Sequence, residues 1–189
     1  LVGSEMCIRD SSTIVKHIHI TELDIRANEE MGGQLNFSRD GADISQVVKT
    51  LQEDQYTRLF RVLRKHKDVV DNVTFWNLSD HDSWLGARNY PLPYDENYKA
   101  KRVYNLIKDF DPALDNAVVK EDFRPSVLNQ PGQQYPMVNS QGYARFRVVA
   151  PQAKSVIVSL GLGGRGGTVL RKDKEGVWTG TTDGPMDEG

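Results

Sequence analysis

Only one cysteine, Cys7, occurs in the 189 residues, so no disulfide can form within the chain. There is no apolar run of ~18 residues, which excludes a membrane-spanning helix from the expected elements and a membrane from the expected partners. An excess of either charge is also missing: 24 Lys and Arg face 26 Asp and Glu, for a formal net charge of −2. A nucleic-acid-binding surface would show clustered Lys and Arg on one face. The one dense basic run, Arg64-Lys65-His66-Lys67, falls instead near the end of a predicted helix, where cations complement the negative pole of the backbone dipole. Nucleic acid is therefore not an expected partner. Metal-ligand spacing is lacking as well. His81 stands between Asp80 and Asp82, but three adjacent loop residues do not converge on one ion, so neither a metal nor another cofactor is expected.

What the sequence does have is a sharp change of period along its length. Ile14, Val15, Ile18, Ile20, Leu23 and Ile25 form a strand-like apolar run over about 14–25, and two acids, Glu22 and Asp24, stand at its end. Solubilising charge is a poor explanation for acids at the end of a strand buried on both faces. In parallel barrels, acids at strand ends tend to do chemistry. Strand alternation turns His17 and His19 to the side opposite Glu22, toward a packed face. Arg26 to Asp43 is polar and contains glycine, and reads as a long loop.

Tyr56, Leu59, Phe60 and Leu63 then fall at i, i+3, i+4 and i+7, predicting an amphipathic helix that ends near Lys67. A capping box from Asp43 and Gln46, or from Thr50 and Glu53, would open it. Val69 to Leu78 predicts a second strand and Ser79 to Asp95 a loop. Val103, Leu106, Ile107 and Phe110 repeat the helical spacing from about Asn97, and Asp111-Pro112 stops it. Strand, helix, strand, helix is the order of a parallel α/β fold.

The character changes from residue 115. Pro125, Pro131-Gly132, Gln133, Gln134 and Pro136 leave no period of either kind, so 115–136 reads as a linker. Beyond it, Ala144, Phe146 and Val148 alternate with Arg145 and Arg147, and Ser155 to Leu160 and Val177-Trp178-Thr179 add short strands between glycine-rich turns. These predict the start of an all-β sandwich at 137–189, with Trp178 in its core. Gly161-Leu162-Gly163-Gly164-Arg165-Gly166 fits the glycine pattern of dinucleotide-binding proteins. That fingerprint needs a helix behind it, whereas Thr168-Val169-Leu170 leads into a strand and a turn, so a hairpin loop is expected.

Three stretches carry a family resemblance. Ile20-Thr21-Glu22-Leu23-Asp24 resembles the nucleophile strand of the glycoside hydrolase family 10 xylanases. The block from Val73 to Leu85, with Trp76, Asp80, Ser83 and Trp84, resembles that family's last barrel strand and its loop. Arg88-Asn89-Tyr90-Pro91-Leu92 and the following Asp95-Glu96-Asn97-Tyr98-Lys99 resemble the loop leading into its final helix. The three occur in the right order across 14–110. The family's strand usually ends in a glycine after the first tryptophan, where Asn77 stands here.

The fold implied by the resemblance is α/β: the last two βα units of a (β/α)8 TIM barrel over 14–114. An unassigned leader, 1–13, would precede them. The 115–136 linker would lead to a partial immunoglobulin-like sandwich at 137–189, similar to the early-set, carbohydrate-binding-module-like domains that precede family 1 carbohydrate esterases. A whole barrel needs about 250 residues, so a fragment is expected.

The resemblance also implies chemistry. Glu22 would be the nucleophile of a retaining endo-1,4-β-xylanase, and Asp24 a supporting acid that orients a histidine against it. Trp76 and Trp84 would stack on sugar rings through their indole faces, with Arg88 and Asn89 lining the same loop. Glu22 and Asp24 cannot be the catalytic pair, because two residues apart on one strand they point the same way, spaced ~6.6 Å along it. A retaining enzyme needs its carboxyl groups ~5–5.5 Å apart, on either side of the bond. The acid/base glutamate is expected upstream, and the fragment alone is expected to be inactive. Xylan or xylo-oligosaccharide is the implied partner, and the implied place is outside the cell, in the periplasm or at the cell surface. The rival reading is a non-catalytic carbohydrate-binding or scaffold protein built on the same barrel. None of this specifies an oligomeric state.

Overall fold

The computed structural model describes residues 7–8, 10–27, 44–159 and 168–186. Most of the expected loop of 26–43, the expected hairpin loop of 161–166 and the final residues 187–189 lie outside them. The chain divides into two compact units, Leu1–Phe110 and Asp111–Gly189.

In the first unit, β1 (Ile18–Leu23) pairs in parallel with β2 (Val70–Phe75), and α1 (Gln46–Lys65) lies between them in sequence. A one-turn 3-10 helix (Ala87–Asn89) and α2 (Arg102–Lys108) follow. The β1 strand is shorter than the apolar run that predicts it. Ile14 and Val15 are exposed, because their N–H groups close turns onto the Ser11 carbonyl instead of joining a ladder. The cap of α1 also differs from the expected capping boxes. Ser45 is the N-cap, and its hydroxyl accepts from the Val48 N–H at 3.3 Å. Thr50 is buried inside the helix, and Glu53 reaches Arg102 of α2 at 3.6 Å.

The helical spacing produces the packing it predicts. Tyr56 and Leu63 are buried, and Leu23, Tyr56 and Val103 form a core joined by Ile20, Ile25, Leu59, Phe60, Val73, Phe75 and Ile107. The Phe60 and Phe75 rings stack with centroids 6.2 Å apart, and the Tyr56 ring lies 6.0 Å from Phe75, so one aromatic cluster joins α1 to β2.

Register explains why both Ile20 and Leu23 reach this core. Ile20 pairs with Val73 and Leu23 with Phe75, so β1 spends one more residue than β2 over the same span. The extra residue is a bulge at Thr21-Glu22, and it restores Leu23 to the side that Ile20 already faces. A second slip lies between Ile18↔Val70 and His19↔Asn72, where β2 spends the extra residue, Asp71. The expectation that His17 and His19 are packed is overturned here. Both are exposed and turn to Asp71, with His17 Nδ1 at 2.6 Å and His19 Nε2 at 3.8 Å from its Oδ2.

From Ser79 to Lys101 the chain forms a loop with its own frame. Asp80 and Lys101, at its two ends, make an ion pair of 2.5 Å with side chains 0% and 3% exposed. The other Asp80 oxygen accepts from the Leu92 N–H at 2.9 Å, and Lys101 Nζ lies 3.4 Å above the Tyr90 ring. Burial pushes the Asp80 carboxyl up to about 6 against the pull of Lys101, and pushes Lys101 down to about 8 against the pull of Asp80. From α1, Tyr56 Oη donates to the Pro91 carbonyl at 2.7 Å, and Gln52 Nε2 to that of Leu92 at 3.0 Å. The expected helical start near Asn97 is displaced to Arg102. Asp95 Oδ1 captures the N–H groups of Asn97 (2.8 Å) and Lys99 (2.9 Å), and Tyr98 takes a left-handed φ of 61°, which offers the backbone a turn in place of a helix.

In the second unit, the short α3 (Pro112–Asp115) precedes β3 (Arg124–Pro125), β4 (Met137–Val138), β5 (Ala144–Val149), β6 (Ile157–Val158), β7 (Thr168–Val169), β8 (Arg171–Lys172) and β9 (Val177–Thr181). An antiparallel sheet runs in the order β3-β4-β5-β9-β8, and β6 pairs with β7 separately. The stretch read as a linker, 115–136, therefore contributes a strand: β3 pairs with β4, and Ser126 N–H adds a bond to the Pro136 carbonyl. Trp178 is buried, its indole N–H donating to the Ala150 carbonyl at 2.8 Å. Gly180 allows the close approach of Leu170 to β9, since a Cβ there would fall 2.6 Å from Leu170 Cδ2. Among the described residues, no helix is long and apolar enough to cross a membrane.

Removing one member of a buried ion pair strands the other in low dielectric. Lys101→Met is expected to cost about 3–5 kcal/mol in urea unfolding. Asp80→Asn added to it should recover part of that loss, because the amide oxygen still accepts from the Leu92 N–H while no charge is left buried.

Candidate functional site

The carboxyl end of the parallel pair gathers the residues singled out from the sequence. Glu22 sits on the bulge of β1 with its side chain exposed, and Asp24 follows just past the strand's last residue. The Trp76 N–H donates to the Leu23 carbonyl at 3.0 Å, carrying the β1–β2 contact one residue beyond β2. Trp84 reaches the same strand end from the loop, and its Nε1 donates to Asp24 Oδ2 at 2.7 Å. Both indoles keep a large open face, Trp76 being 45% and Trp84 48% exposed. Two acids and two half-exposed indoles thus share one edge.

Asn89 does not line an open surface as expected. It is 0% exposed and its amide is used inside the protein. Its oxygen accepts from Arg26 Nε at 3.0 Å, its nitrogen donates to the Leu85 carbonyl, and its own carbonyl accepts from the Ala27 N–H at 3.0 Å. The 3-10 turn at 87–89 buries the residue, so Asn89 ties the loop to the segment leaving β1. Arg88 beside it is half-buried. Sequence reasoning missed Arg26 as the other half of this tie. Its position two residues after Asp24 was the available signal, because alternation aims both side chains to one side.

Asp80 and Asp82, which the sequence did not mark as metal ligands, are used inside the protein. Asp80 is the buried partner of Lys101. Asp82 accepts from Ser79 Oγ at 3.0 Å and from Tyr98 Oη at 3.2 Å, and the Tyr98 ring lies 5.7 Å from that of His81. Tyr56, under the site, has its hydroxyl pKa pushed up by burial and further by the carboxylates of Asp24 and Asp80, which keeps it a neutral donor to Pro91.

Asn77, next to Trp76, has φ of 107°, a value at which a side chain is strained and glycine is not. This is the position where the resembling family usually has glycine.

Comparison with known proteins places these observations in a family. The model for glycosyl hydrolase family 10 matches residues 3–110, starting upstream of residue 14 and including the buried Ile8. A protein of Xylanibacter ruminicola named endo-1,4-beta-xylanase/feruloyl esterase is 70% identical over 186 residues, which is 98% of this chain and 26% of that protein. Endo-1,4-beta-xylanase A of Thermotoga neapolitana is 38% identical over 103 residues, 53% of this chain and 9% of its own length. A solved structure described as a psychrophilic glycoside hydrolase family 10 endo-beta-1,4-xylanase is 56% identical, covering 57% of this chain and 30% of its own, with a TM-score of 0.49. The chain thus spans about a quarter, or less, of the length of these two curated relatives.

Asn77→Gly is expected to raise stability by roughly 0.5–1 kcal/mol, the relief of the positive-φ strain less the added backbone entropy. The change reads out as a higher Tm in calorimetry. Asn89→Ala is expected to cost about 1–3 kcal/mol, because Arg26 and the Leu85 carbonyl lose a buried partner. The same scan checks it.

Proposed function

The chain belongs to glycosyl hydrolase family 10 across residues 3–110, and from that premise we propose that it acts within a retaining endo-1,4-β-xylanase whose nucleophile is Glu22. One observation carries the reading: the exposed Glu22 and the open faces of Trp76 and Trp84 share the carboxyl end of the parallel strands, tied there through Leu23 and Asp24. That end is where the active sites of (β/α)8 barrels lie. In this reading β1 and β2 are the last two strands of such a barrel.

The Glu22 carboxylate attacks the anomeric carbon of a xylose unit while a second carboxylic acid protonates the departing glycosidic oxygen. The resulting glycosyl ester is then hydrolysed by water, activated by the second group in its basic form. Asp24 is not that second group, since it lies only two positions after Glu22 and holds the Trp84 N–H. In this reading the proton donor is a carboxylic acid on another strand of the barrel, and the 189 residues alone are expected to be inactive. The indole faces hold sugar rings by apolar contact, which orients the scissile bond at little entropic cost. Arg88 lies on the loop beside them. Xylan is an extracellular polymer, and we place the enzyme outside the cell, in the periplasm or at the cell surface.

We propose further that the second unit is an immunoglobulin-like, carbohydrate-binding-module-like domain within a xylanase–esterase fusion. Its antiparallel sheets support this, as does the Xylanibacter ruminicola protein, which matches 98% of this chain, both units included, and whose name includes feruloyl esterase.

The nucleophile assignment is tested in the full-length enzyme. Glu22→Ala should abolish hydrolysis of xylan, and azide should restore cleavage of an activated aryl β-xylobioside, with the configuration at the anomeric carbon inverted in the azide product. Hydrolysis near the wild-type rate in Glu22→Ala would remove Glu22 from the mechanism and favour the non-catalytic, carbohydrate-binding reading.

A further inference from the structure

We infer that Trp84 is a positioning residue for Asp24, and through it for Glu22, as well as a surface for sugar. The inference rests on the reading of Glu22 as the nucleophile. An indole needs only its ring face to stack on a sugar, and the face of Trp84 is open. Its one polar group, a donor-only N–H, is directed elsewhere, at Asp24 Oδ2 over 2.7 Å.

Among the described residues, no backbone pairing holds Asp24 in place. The ladder slips at the Thr21-Glu22 bulge, β1 ends at Leu23, and the last cross-strand bond is Trp76 N–H to the Leu23 carbonyl. One residue later, Asp24 depends on side-chain contacts. Trp84 supplies one, and Arg26, on to Asn89, fixes the chain two residues further along. These contacts join the exit of β1 to one loop at residues 84 and 89, so the loop that covers the site also orients the acid beside the nucleophile. A carboxylate has four acceptor positions. With Oδ2 held by Trp84, the indole sets the direction in which Oδ1 points.

A stacking role and a positioning role separate under Trp84→Phe, which keeps an aromatic face and loses the N–H. In the full-length enzyme acting on an aryl β-xylobioside, kcat is expected to fall about ten-fold, the loss of one hydrogen bond to a charged group, with KM within about two-fold of wild type. Asp24→Ala should lower kcat at least as far. The double variant should lie within about two-fold of Asp24→Ala alone, because the indole has then lost the group it acts through. A wild-type kcat in Trp84→Phe, a change confined to KM, or losses that multiply in the double variant would each overturn the inference. Glu22→Ala run alongside keeps the two readings apart: activity surviving there defeats the nucleophile itself, whereas multiplying losses at Trp84 and Asp24 with Glu22→Ala dead defeat only the coupling.

Discussion

The Asp80–Lys101 ion pair closes the loop of 79–101 where it leaves β2 and where it returns to α2. Two charges are taken out of water to make it, which is worthwhile only because each finds further partners: the Leu92 N–H for the acid, and the Tyr90 ring for the amine. Everything the loop presents depends on this closure. Tyr56 and Gln52 then bind the carbonyls of Pro91 and Leu92 from below, so the loop's backbone is satisfied by α1. A loop held at its ends and its middle can offer Trp84 as a half-exposed ring without that ring collapsing onto the core.

A second constraint acts on the strand. The bulge at Thr21-Glu22 costs β1 its regular ladder, and it lies where the candidate nucleophile stands. Bulges re-aim side chains and end pairing, which is why they recur beside active sites. Here the slip lets Ile20 and Leu23 both serve the core while Glu22 stays in solvent. With the ladder gone, the positions of Asp24 and Arg26 pass to side-chain bonds with Trp84 and Asn89. Precision at this edge therefore comes from the loop, and the loop takes its own precision from the buried ion pair.

Much of this was legible in the residues. Helical spacing at Tyr56, Leu59, Phe60 and Leu63 predicted α1 and its buried face, and the apolar runs located both strands of the parallel pair. The positive φ of Asn77, at a position usually held by glycine, came only from the structure. Wherever competition between local hydrogen bonds decided the outcome, the reading failed. Ser45 took the cap of α1, the Asp95 side chain unwound the start of α2, and Asp71 drew His17 and His19 out to the surface. Residues 115–136 looked like a linker because a two-residue strand carries no period, yet Arg124 and Pro125 join the sheet.

By itself the sequence determined the parallel pair and α1, and which acid and indoles stand at the strand ends, because periodicity and local motifs are properties of neighbours along the chain. Only the tertiary structure decided what each polar group in the site is used for. Asn89 changed from a surface group to a buried tie, Asp80 from a loop acid without an assigned role to the partner of Lys101, and Trp84 gained a bond to an acid sixty positions away. The physical reason is that a hydrogen bond or ion pair between distant residues depends on burial and on distances of about 3 Å, and neither is written in the spacing of residues along a chain.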